Sequence, residues 1–251
     1  MSRRFAVATA ILLNFLLATA HAEPIKNIVL VHGAFADGSS WAKVIPILQA
    51  EGYRVTAVQN PLTSLADDVA ATKRALALQD GPALLVGHSW GGFVITEAGA
   101  DAKVAGLVYV AAFAPDTGEV AEEILKPYPP QPAFAAPIVD AQGFMSLPMD
   151  AVVQHFALDL PEEEARVVAA TQIPLHVAAF KAQVSAAAWK DKPAWFIVAE
   201  QDHVIPPDLE RFFARRMKAT TIELNSSHVP MLSQPKAVAK VIMDAAAKSG
   251  T

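Results

Sequence analysis

Apolar runs near residues 25–31, 83–86, 104–110 and 194–199 set the strongest limit on what this chain can become. They lack the strict alternation of a strand with one wet face, so each reads as a strand buried on both faces of a parallel sheet. Residues 53–58 and 220–224 read as further strands. Between them lie stretches with helical spacing. Trp41, Val44, Ile45 and Leu48 form one, ended by Gly52, and Val69, Thr72 and Leu76 mark a second within residues 65–78. Two more helices are expected over residues 208–217 and 235–247. Parallel neighbours need right-handed crossovers, so this rhythm predicts an α/β fold with a mostly parallel, doubly wound sheet flanked by helices.

The rhythm stops between residues 113 and 192. Prolines crowd the stretch, and only short pieces such as 150–158 and 161–170 look helical. Some 80 residues are too many for a plain loop. The expected organisation is therefore a core of residues 23–112 and 193–251, with a helical cap inserted after the strand ending near Val110.

Residues 1–22 combine Arg3 and Arg4, an apolar run and the small-residue site Ala20-His21-Ala22. This is the pattern of a secretory leader cleaved before Glu23, which implies a periplasmic or secreted protein. The apolar run falls short of the roughly 20 residues that span a bilayer, so no stable membrane insertion is expected after cleavage. The chain has no cysteine, in keeping with an oxidising compartment. Losing the leader takes the formal net charge from −5 to −7. With no basic run, nucleic acid is a poor partner.

The chemistry centres on Gly87-His88-Ser89-Trp90-Gly91, placed between an apolar run and a segment able to open a helix. A serine on a sharp strand-to-helix bend stands exposed above the sheet, and its neighbours at two residues either side must be small. Its hydroxyl is a weak nucleophile and needs a base, itself oriented by a carboxylate. Asp202 follows the strand at 194–199 and His228 follows the strand at 220–224. Both sit at strand carboxyl ends, in the order Ser…Asp…His. Asp116 and Glu200 occupy positions where an acid could also serve. His155, His176 and His203 read as packed or exposed rather than as the base. An oxyanion needs two backbone N–H donors. Trp90 supplies one, and Ala34, or next to it Phe35, supplies the other from the loop His32-Gly33-Ala34-Phe35. In the cap, Phe134, Phe144, Met145, Phe156, Phe180 and Trp189 are candidates to line an apolar pocket or to pack cap on core. No charged cluster suggests a phosphate or carboxylate clamp.

Together V-L-V-H-G-A-F-x-D-G-S-S-W, G-H-S-W-G-G, A-F-A-P-D-T, Q-D-H-V-I-P-P and S-S-H-V-P-M-L-S-Q-P resemble the α/β-hydrolase superfamily over nearly all of residues 25–247. The nearest branch looks like the small esterases and hydroxynitrile lyases that include plant methyl-salicylate esterases. The resemblance implies a serine hydrolase without cofactor, and the lack of a charged clamp in the cap points to small to medium uncharged carboxylic esters; no metal is expected. Ser89, Asp202 and His228 would form its triad, and Ala34 and Trp90 its oxyanion hole. The lyases of this branch carry a threonine where Gly33 stands and a lysine where Val229 follows His228, which favours hydrolysis. Lyase or perhydrolase chemistry, or a binding protein on the same scaffold, are the alternatives. Neither substrate identity nor oligomeric state is legible.

Overall fold

The computed structural model describes residues 25–249, so the expected leader at 1–22 lies outside the described residues. Strand β1 (Asn27–Val31) leads into α1 (Ile45–Ala50), β2 (Arg54–Val58), α2 (Leu65–Ala77), β3 (Ala83–Ser89), α3 (Gly91–Ala98) and β4 (Val104–Ala112). The insertion carries α4 (Ala121–Leu125), β5 (Ile138–Val139), β6 (Phe144–Ser146), α5 (Met149–Ala151), α6 (Glu162–Thr171) and β7 (Leu175–His176). The chain returns to the sheet with β8 (Ala194–Ala199), α7 (Pro207–Arg216) and β9 (Thr220–Leu224). It closes with α8 (Pro230–Ser233) and α9 (Pro235–Ser249).

The six main strands lie in the order β2-β1-β3-β4-β8-β9, every pairing parallel. Every residue of β1, β3 and β8 is buried, whereas the edge strands β2 and β9 are partly exposed. That is why the inner strands read as apolar runs and the edge strands carry Arg54, Thr220, Thr221 and Glu223. Helix α2 is capped by Ser64, whose hydroxyl accepts the Asp67 amide at 3.1 Å, and it buries Leu65, Val69, Thr72 and Leu76. It packs on α3, while α1 packs on α9, so the sheet is flanked by paired helices. The chain leaves β1 toward β2 on one side and re-enters through β3 on the other. The carboxyl ends of β1 and β3 therefore flank a switch point, where open α/β sheets bind ligands.

Three expectations need correction. The insertion is not purely helical, because β5, β6 and β7 form a small antiparallel sheet. Strands of two or three residues are too short to show a period, and only tertiary pairing defines them. The helix expected at 150–158 is the short α5 followed by a π-helical turn, Val152–Phe156. Near Trp41, a 3-10 turn (Gly38–Trp41) capped by Asp37 precedes α1, where one continuous helix was expected.

Candidate active site

The bend after β3 is enforced by crowding. Ser89 adopts φ of +53°, a left-handed conformation that costs a non-glycine residue energy and is held by its surroundings. A Cβ on Gly87 would lie 2.7 Å from the Gly91 carbonyl oxygen, and one on Gly91 would lie 2.6 Å from that of Val31. Only glycine fits at either place, which is the physical content of the Gly-x-Ser-x-Gly spacing. Helix α3 starts immediately, at Gly91, so its N-terminus points its dipole at the bend.

The structure brings Ser89, His228 and Asp202 together across the ends of β3, β8 and β9. The Ser89 Oγ lies 2.8 Å from His228 Nε2, and His228 Nδ1 lies 2.5 Å from Asp202 Oδ2. The other Asp202 oxygen accepts the amides of Val204 at 2.6 Å and Ile205 at 2.9 Å, which fixes the carboxylate toward the imidazole. All three side chains are buried. Neither rival acid takes part. Asp116 pairs with Lys190, and Glu200 is exposed beyond β8.

Supporting contacts hold His228 in place. His88 Nε2 is 2.7 Å from the His228 carbonyl oxygen, to which it donates. Burial, then the neighbouring His228, holds the His88 imidazole well below its ordinary value, so it is a neutral clamp. From the cap, Asp159 accepts the Ser227 amide at 3.0 Å and also its hydroxyl. Phe156 packs edge-on against His228, ring centroids 4.9 Å apart.

The loop after β1 is similarly fixed. His32 Nδ1 donates to the Gly33 carbonyl at 2.8 Å, and His32 Nε2 accepts the Asn60 amide at 2.9 Å. Those two bonds determine its tautomer, and burial lowers its pKa. Phe35 has φ of +58°. Among the described residues, the backbone amides of Ala34, Phe35 and Trp90 donate no hydrogen bond. Ala34, Phe35, Ser89 and Trp90 share the wall of one narrow inner pocket with Phe113, Leu125, Phe134, Phe180 and Val204. Unpartnered donors around a buried hydroxyl are what an oxyanion site requires.

Above the inner pocket lies an apolar groove of about 910 Å³, lined by Met145, Tyr128, Pro129 and Val177 among others. Leu125, Phe134 and Phe180 border both spaces and form the neck between them. Of the cap residues expected to line a pocket, Phe134, Met145 and Phe180 do so. Phe156 and Trp189 line neither space. Phe156 is spent on His228 and Phe35, and Trp189 fastens cap to core, donating to the Pro115 carbonyl at 2.8 Å beneath Arg216. His155 and His203 face each other, Nδ1 to Nδ1 at 3.2 Å, and His176 packs edge-on against Phe144; the imidazole that Ser89 meets is that of His228. Sequence reasoning missed Leu125, Tyr128, Val204 and Asp159. Leu125 closes the five-residue α4, too short to show a period, and Tyr128, Val204 and Asp159 lie in irregular segments where no periodicity marks a face; Asp159 has no motif around it.

Comparison with known proteins agrees with this fold. The chain matches the alpha/beta hydrolase family over residues 28–241 and belongs to it. It is 27% identical to a pyrethroid hydrolase of Sphingobium wenxiniae, the match covering 88% of this chain and 87% of that protein. It is 25% identical to methylesterase 2 of Arabidopsis thaliana over 84% of this chain and 92% of the relative. Among solved structures, a pyrethroid hydrolase from Sphingobium faniae superimposes with a TM-score of 0.76 at 25% identity, covering 88% of this chain and 97% of that one.

Proposed function

We propose that this alpha/beta hydrolase cleaves uncharged carboxylic esters of small to medium size through an acyl-enzyme on Ser89. The hydrogen-bonded relay from Ser89 through His228 to Asp202, set under a pocket with unpartnered backbone amides, carries the reading. His228 takes the Ser89 proton as Oγ bonds to the ester carbonyl carbon. The resulting oxyanion accepts hydrogen bonds from the Trp90 and Ala34 amides. As the tetrahedral intermediate collapses, His228 returns the proton to the leaving alkoxide and the alcohol departs. Water then enters and gives a proton to His228 as its oxygen bonds to the acyl carbon; as that intermediate collapses, His228 returns the proton to Ser89 Oγ and the acid departs. Asp202 stays ionised and stabilises the imidazolium in both halves.

The narrow inner pocket suits a small substituent on one side of the carbonyl, and the groove beyond Phe134 and Phe180 suits an apolar group on the other. The relatives named as pyrethroid hydrolase and methylesterase support ester cleavage as the reaction class. Export by the leader at 1–22 is part of the same proposal. No helix among the described residues is long and apolar enough to cross a membrane. N-terminal sequencing of the protein from a periplasmic fraction checks the leader, with Glu23 as the expected first residue.

The decisive experiment is fluorophosphonate labelling with a parallel p-nitrophenyl ester assay. An adduct on Ser89, lost in S89A together with at least about 10⁴-fold of turnover, is the expected result. A folded wild-type protein that neither labels nor hydrolyses any ester of a broad panel would return the site to a binding role.

A further inference from the structure

Glu210 on α7 is a buried carboxyl that the relay from Ser89 to Asp202 does not account for. It is fully inaccessible to solvent, and its Oε2 accepts the Ala199 amide at 3.0 Å. Ala199 also receives the Asp202 amide on its carbonyl at 3.3 Å, so one residue at the end of β8 anchors both acids. The buried Oε1 of Glu210 meets no hydrogen-bond donor, and the Asp202 carboxyl is the charged group that acts on it most. Among the described residues no lysine or arginine forms an ion pair with either carboxyl. Arg211, the next residue, turns outward to Glu223 at 2.7 Å and Asp208 at 3.0 Å.

Two adjacent carboxylates in a dry site cannot both be ionised without a large penalty, so one proton is shared between them. Asp202 is already met by the Val204 and Ile205 amides and by His228, whereas Glu210 is met by one amide. The better-solvated group keeps the charge. Burial first, and the charge of Asp202 second, hold the Glu210 carboxyl well above the usual carboxylate range.

We propose that Glu210 is a neutral positioning residue whose carboxylic acid proton is donated to Asp202, extending the relay by one member and keeping Asp202 ionised and aimed at His228. This rests on the reading of Ser89, His228 and Asp202 as the triad. The added donor spreads the negative charge of Asp202, which tempers its pull on a proton at His228. The other groups facing this network are the neutral His88 beside His228, Ser89 in front of it, and the His155–His203 pair beyond the turn after Asp202.

Two substitutions separate the possibilities. In E210M the donor is lost and the charge of Asp202 is undiluted, so His228 holds a proton more tightly. The acid limb of kcat/KM moves to higher pH by about half a unit or more, and kcat/KM falls at least about tenfold. E210Q supplies an N–H donor without any charge, so it holds the acid limb in place and recovers most of the rate lost in E210M. A shift of the acid limb to lower pH in E210Q would mean that Glu210 was a carboxylate, and a folded E210M with the wild-type profile would mean that it only packs; either result overturns the proposal. Difference infrared spectroscopy of wild type against E210Q gives a readout independent of turnover. A protonated-carboxyl band present in wild type and lost in E210Q is expected, and its absence from wild type also overturns the proposal. Failure of the triad reading would show instead as an unlabelled Ser89 in wild type.

Discussion

The indole Nε1 of Trp90 donates to the Asp68 carboxylate at 2.9 Å, so the residue that follows Ser89 is tied to the crossover helix preceding its strand. The other Asp68 oxygen accepts the Leu62 amide at 2.8 Å. The Trp90 ring is stacked on Phe93, centroids 4.9 Å apart, and Phe180 of the neck packs edge-on at 6.4 Å. Asp68 thus links the nucleophile turn to the groove above it. D68A leaves two buried N–H donors without partners and is expected to destabilise the fold by about 2–4 kcal/mol. Urea denaturation followed by tryptophan fluorescence measures this. A midpoint unchanged from wild type would show that the two bonds contribute nothing net.

Acidification acts on stability in two senses, the buried histidines against the buried acids. Burial places the folded-state values of His32 and His88 below the ordinary 6.5 of histidine. Their contributions are therefore full above about pH 6.5 and are lost as pH falls below it, when the unfolded chain binds the protons. For Asp68, burial outweighs the Trp90 and Leu62 hydrogen bonds and pushes the carboxyl up to about 6. Its contribution accordingly rises as pH falls through 6 toward the unfolded carboxylate value. Glu210, held above the carboxylate range by burial, acts in the same sense as Asp68. The urea midpoint of D68N, which lacks the Asp68 share, should fall relative to that of wild type from pH 7 to pH 5. A midpoint difference that stays constant over this range would contradict the assignment.

Asp159 gives the cap a direct hold on the residue before the base, through the amide and hydroxyl of Ser227. D159A should lower kcat about tenfold with little change in KM, because His228 loses alignment while the groove is untouched. An effect confined to KM would place Asp159 in substrate binding instead.

Gly33 leaves no room for a side chain. A Cβ there would come within 2.6 Å of the Ser89 Cβ and 3.0 Å of the His88 carbonyl oxygen. G33T is expected to reduce ester hydrolysis at least about 100-fold through displacement of Ser89, without gaining cyanide release from mandelonitrile. Steady-state assays on both substrates check this. Cyanide release by G33T would show that one residue separates the two chemistries here.

Phe134 and Phe180 narrow the passage between groove and inner pocket, and Phe134 is held by Phe35 at 6.1 Å between centroids. F134A should raise kcat/KM for bulky apolar esters relative to p-nitrophenyl acetate by about 3–10-fold, the range expected for one pocket wall. An unchanged ratio would place the size limit elsewhere.

The core was legible because its constraints are local. Apolar runs marked β1, β3, β4 and β8, since a strand buried on both faces tolerates little else. The bend at Ser89 was legible because close backbone approach admits only glycine at positions 87 and 91. The insertion was less so. Its strands span two or three residues, its helices are interrupted by prolines, and whether Phe156 and Trp189 line a pocket depends on what they meet across the interface. No pattern within the segment encodes that.

By itself the sequence determined the alternation of strands and helices, the nucleophile bend, and the positions of Asp202 and His228 at strand ends, all written in short-range patterns of burial and backbone geometry. Only the tertiary structure decided that Asp202, and neither Asp116 nor Glu200, meets His228. It alone set Glu210 behind that acid and Asp68 beneath Trp90, and divided the cap aromatics between neck and fastening. Those outcomes depend on contacts between residues 11 to 139 positions apart, which exist only once the sheet has brought its strand ends together.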